Sequence, residues 1–74
     1  MDLIIVAWTR GQGEKIPSSL KRSVKKMMKR AMIEGDVSIV PGCLLVQVTG
    51  ISRDDVVYLL RMLQNAGYSV GVQV

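Results

Sequence analysis

Leu3-Ile-Ile-Val-Ala-Trp8 is an unbroken apolar, β-rich run, and Cys43-Leu-Leu-Val-Gln-Val-Thr49 is a second, interrupted only by Gln47. Such runs fit strands in the interior of a sheet, with neighbours on both edges and packing layers on both faces. Both are far shorter than the ~20 apolar residues that cross a bilayer. Tyr68-Ser-Val-Gly-Val-Gln-Val74 alternates apolar with small or polar residues instead, the pattern of a half-exposed edge strand. Residues 36–40 form a short strand, with Val37 and Ile39 alternating against Ser38, and Pro41-Gly42 is a tight-turn dipeptide that makes a hairpin with the run at 43–49.

Two amphipathic segments separate these strands. Pro17-Ser18-Ser19 supplies a helix start, and steps of 100° place Ile16, Leu20, Val24, Met27, Met28 and Ala31 on one arc; Gly35 is the predicted stop. Ser52 caps the second helix. The Ser52-x-x-Asp55 spacing lets hydroxyl and carboxylate each satisfy an orphan amide, and Asp54 and Asp55 suit the positive end of the helix dipole. Val56, Leu59, Leu60, Leu63 and Ala66 form its apolar stripe, Tyr58, Arg61 and Asn65 point outward, and Gly67 is the C-terminal stop.

The order is strand, helix, strand, strand, helix, strand. Right-handed crossovers put strands one and three in the middle and strands four and two at the edges, a sheet ordered 4-1-3-2. The side-chain patterns agree independently, because the continuous apolar runs are the two central strands. The expected fold is the α+β, ferredoxin-like βαββαβ two-layer sandwich, as one domain over residues 1–74. Both helices cover one face, leaving the other, with Gln47, Thr49, Ser69, Gly71, Gln73 and residues of the first strand, open and poor in charge.

A chain of 74 residues, 49% hydrophobic, has the apolar side chains for a core but little interior in which to hide them, so self-association as a homodimer is the expectation. Cys43 is alone and no secretory leader pattern is visible, which favours a cytoplasmic location. The chain has no His, one Cys and six carboxylates, two of them explained by helix capping. That is too little for acid–base, nucleophilic or metal chemistry, so neither enzyme activity nor a metal or other cofactor is expected. Cys43 reads as a small packed hydrophobe.

The charge is concentrated. Net charge is +4, and seven cations between residues 15 and 30 interleave with the apolar arc of the first helix while no acid falls between Lys15 and Ile33. Like charges four apart (Lys21 with Lys25, Lys25 with Lys29, Lys26 with Arg30) repel by a few tenths of a kcal/mol each, which a helix built only for solubility would relieve with Glu. Phosphates would relieve it through counterion release. The candidate contacts are Lys21, Arg22, Lys25, Lys26, Lys29 and Arg30, assisted by Arg10 and Lys15, and the candidate partner is nucleic-acid backbone, DNA or RNA, or else an acidic protein surface. The competing reading is a solvated face that keeps an apolar chain in solution. Arg10-Gly11-Gln12-Gly13-Glu14-Lys15 joins a strand to a helix start, where amides can hold phosphate, but it lacks the spacing of a Walker loop and reads as a connection.

The RNA-recognition motif shares the predicted topology but stacks bases on aromatics of the central strands. Here Trp8 is the only such aromatic, no Phe exists, and Trp8 reads as core. The stretch from Thr49-Gly50-Ile51 to Gly67-Tyr68-Ser69-Val70 is similar in rhythm to the second half of ACT-type regulatory modules. That resemblance implies sheet- or edge-paired dimers that bind small effectors at their interface. A dimeric regulatory, adaptor or inhibitor domain is therefore the alternative function. Membrane binding by the first helix is not expected, because the core needs its apolar arc.

Overall fold

A computed structural model describes residues 2–11 and 15–73. Gln12, Gly13 and Glu14 of the first connection, and Val74 of the last predicted strand, lie outside the described residues. The elements follow in the order β1 (Leu3–Thr9), α1 (Ser18–Arg30), β2 (Glu34–Val40), β3 (Cys43–Thr49), α2 (Arg53–Asn65) and β4 (Tyr68–Gln73). The sheet is antiparallel and ordered β2-β3-β1-β4, the ferredoxin-like arrangement, with the two apolar runs in its centre.

Alternate residues of each strand serve the two faces. Leu3, Ile5 and Ala7 of β1, Leu44, Val46 and Val48 of β3, and Val37 of β2 are buried beneath the helices. Leu20, Val24 and Met28 of α1 and Leu59 and Leu63 of α2 close the same core from above. Each of the Val, Leu, Ile and Met side chains so taken from water stabilises the fold by about 1.5–3 kcal/mol. On α2, Val56 and Leu60 are half-buried rather than central, and Ala66 is exposed at the cap. Ser52 caps α2 as its spacing implies, its Oγ accepting from the Asp55 amide at 3.2 Å.

Helix α1 ends at Arg30, not at Gly35. The Ile33 amide donates to Met28 O at 2.8 Å and the Met32 amide to Lys29 O at 3.3 Å, closing the helix with Met32 in the left-handed region at φ 57°. Gly35 stands inside β2, which begins two residues earlier than expected. It is required there for space, because an added Cβ would collide with the Gln47 carbonyl oxygen of β3.

Two further expectations are corrected. Trp8 is not core: it points to the face without helices and is 41% exposed. Cys43, its direct partner across β1 and β3, is half-buried on that same face rather than packed under the helices. The cause is shared. The central strands have neighbours on both edges but a helical layer on only one side, so half of each apolar run lacks a cover.

Candidate nucleic-acid interface

The helical period that buries Leu20, Val24 and Met28 fixes where the cations go. Arg22, Lys25, Lys26, Lys29 and Arg30 are all exposed, and Lys21 is half-buried beside the apolar stripe. Arg22, Lys25, Lys26 and Lys29 form the crest of α1, the side turned away from the sheet, while Arg30 leans toward α2. The helix is ~20 Å long, and the row from Lys21 to Arg30 takes up ~14 Å of it. Lys29 and Arg30 sit in the last turn, where the helix dipole favours cations; Lys21 and Arg22 lie near the other end, where it opposes them. No acid occupies the first turn of α1 to offset that.

Among the described residues no salt bridge or side-chain hydrogen bond engages these cations. The side-chain hydrogen bonds there run from Thr9 Oγ1 to Gly11 O, from the Gly50 amide to Asp2 Oδ1, and from the Asp55 amide to Ser52 Oγ. Among the described residues, acids approach only from the flanks. Lys25 and Lys29 border a shallow recess that also holds Glu34 and Asp36, and Arg30 shares another with Asp55 and Tyr58. The crest between these flanks is cationic alone.

Arg10 and Lys15 are exposed and stand apart from the crest, at the end of the sheet where β1 hands the chain to α1. Lys15 lines an open cavity of about 670 Å³ with Trp8, Ile16, Ile39 and Pro41. The structure thus brings together the six α1 cations and leaves these two at one end of the row.

The helix layer adds groups beyond the predicted contacts. Tyr58, Arg61, Met62 and Asn65 of α2 share a groove with Met27 of α1, and Arg61 widens the basic surface beyond α1. The period of α2 marks Tyr58, Arg61 and Asn65 as outward, but only the packing of two helices side by side reveals that they and Met62 adjoin α1.

No family model, curated protein or solved structure matches this chain. Its chemistry therefore rests on its own geometry. Among the described residues no three His, Cys, Asp or Glu side chains converge as a metal site would require. No described helix is long and apolar enough to cross a membrane.

Proposed function

We propose that the outer surface of α1 binds nucleic-acid backbone as a non-catalytic module, with Lys21, Arg22, Lys25, Lys26, Lys29 and Arg30 as contacts and Arg10, Lys15 and Arg61 assisting. One observation carries the reading: a 13-residue helix bears six cations and no carboxylate, and its crest is exposed, with no ion-pair partner among the described residues. A helix spanning ~20 Å runs past several phosphates of a duplex strand, spaced about 3.4 Å apart along the axis. Neutralising about four to six of them gives a salt slope near −4 to −5, so affinity falls roughly 10²- to 10³-fold between 50 and 200 mM salt. Backbone contacts of this kind position the protein without reading sequence. The reading carries with it a cytoplasmic setting, where nucleic acid is at hand and a lone cysteine stays reduced.

Electrophoretic mobility shifts with duplex and single-stranded DNA and RNA, over a salt series, test the reading. Binding at low salt that the Lys25→Glu, Lys29→Glu double variant abolishes supports it. No binding to any of the four at low salt rejects it and turns attention to an acidic protein surface, which would use the same cations.

A further inference from the structure

The sheet face turned away from the helices is apolar through its middle. Ile4, Val6 and Trp8 of β1 lie beside Cys43 and Leu45 of β3, with Val40 of β2 next to Cys43. The indole of Trp8 extends toward β4, where a Cβ at Gly71 would lie 3.5 Å from its ring. Gln47 and Thr49 interrupt the apolar middle at one end of β3, and the other polar residues keep to the margins. Glu34, Asp36 and Ser38 stand on the β2 side and Ser69 and Gln73 on the β4 side.

We infer that this face is the interface with a second copy of the chain, packed so that β3 of one copy crosses β1 of the other and β2 crosses β4. The charges select the occupant. No strand contributes a Lys or Arg to the face, so it offers nothing to nucleic acid or to an anionic lipid surface, and Glu34 and Asp36 repel both. A second copy brings the same apolar middle and keeps both basic helices on the outside of the pair, where their fields are far apart.

The same charges select the arrangement. Asp36, Gln47, Ile4 and Gln73 occupy one row across the sheet, and Ser38, Leu45, Val6 and Gly71 occupy another. A twofold axis parallel to the strands sets Leu45 over Val6 of the partner subunit and Asp36 over Gln73 of the partner subunit, apolar on apolar and acid on amide. An axis across the strands would stack β2 on β2 of the partner subunit and gather Glu34 and Asp36 of both copies along one edge, which like-charge repulsion disfavours. Four strands about 4.8 Å apart and about 20 Å long present roughly 400 Å² per copy. The resulting ~800 Å² is below the ~1,200 Å² of standard stable interfaces, so the dimer is concentration-dependent.

Trp8, the only tryptophan, is a native probe on a central strand of this face, placed opposite Cys43 of the partner subunit in this pairing. Sedimentation velocity from about 1 to 500 μM, with tryptophan emission recorded over the same range, should show mass rising from one chain to two and emission moving to shorter wavelength with the same midpoint. Val6→Lys, whose side chain points away from the core, should hold the chain monomeric while its circular dichroism stays that of the wild type. Gln73→Lys should tighten the dimer severalfold at low salt by facing Asp36 of the partner subunit. A single chain at every concentration overturns the inference, and so does a dimer whose Trp8 emission does not move, because that dimer pairs strand edges. A Gln73→Lys dimer no tighter than wild type overturns the strand arrangement. Should Val6→Lys fail to fold, the wild-type emission decides alone. None of these outcomes bears on nucleic-acid binding, which uses the opposite side of the molecule.

Discussion

Met32 and Gly67 hold the same place in the two halves of the fold: each lies two residues past a 13-residue helix, one past its cap, with positive φ, 57° at Met32 and 98° at Gly67. Both amides donate back to a carbonyl three residues earlier, Lys29 O and Gln64 O, at 3.3 and 3.0 Å. Glycine adopts this conformation without steric cost, whereas a side chain costs about 1 kcal/mol or more. Met32→Gly should therefore raise the stability of the fold by up to about 1 kcal/mol, and Gly67→Ala should lower it by about as much. For a domain of this size that is a shift of about 4–8 °C in Tm, measured by thermal denaturation at fixed protein concentration. Met32 is also 90% exposed, so its removal forfeits little packing.

The two strand glycines should behave differently. A Cβ at Gly35 meets the Gln47 carbonyl oxygen, and neither backbone can yield without breaking the β2–β3 ladder, so Gly35→Ala should lower stability by several kcal/mol or prevent folding. A Cβ at Gly71 meets only the Trp8 ring at ordinary contact distance, so Gly71→Ala should change stability by less than about 1 kcal/mol. Urea denaturation of the two variants compares them directly.

Core and open face should part in the same way under truncation. Leu63 is wholly buried between α2 and the sheet, and Leu63→Ala should cost about 2–5 kcal/mol. Leu45 is half-buried on the uncovered face, and Leu45→Ala should cost the monomer much less while weakening self-association. Denaturation at low protein concentration, where the monomer prevails, separates the two effects.

The footprint of nucleic acid is testable across the two helices. Arg61 adjoins the α1 crest through the Met27–Tyr58 groove, whereas Arg53 begins α2 and lines none of the recesses shared with α1. Arg61→Ala should weaken binding and lower the magnitude of the salt slope by about 1, as removal of one phosphate contact does. Arg53→Ala should leave both unchanged. Mobility shifts at three salt concentrations supply the slopes.

Much of this fold is legible from residue order. The apolar runs beginning at Leu3 and Cys43 mark the central strands, because only sheet interiors tolerate so little alternation, and the period of Leu20, Val24 and Met28 turns the cations of α1 outward. The stop of α1 is less legible. Gly35 looks like a terminator, yet the chain uses its lack of a side chain for a close approach to β3 and ends the helix on Met32, a residue with no preference for that conformation. Trp8 and Cys43 are misleading for another reason. In an uninterrupted apolar run, alternation cannot say which half faces the helices, and that choice depends on the register between β1 and β3. The nearness of Arg61 and Tyr58 to α1 is a tertiary fact, absent from either helix alone.

The pairing of β1 with β4, in which Ile4 faces Gln73, joins the first described strand to the last. During synthesis the apolar residues of β1 emerge before the other strands and lack one edge partner until about sixty further residues have been added. The middle hairpin can pair with β1 sooner, yet the sheet stays incomplete until residue 73 leaves the ribosome. Commitment to the native state is thereby postponed until β4 has been made, and a chain stalled before β4 would present an unsatisfied β1 edge to any passing polypeptide.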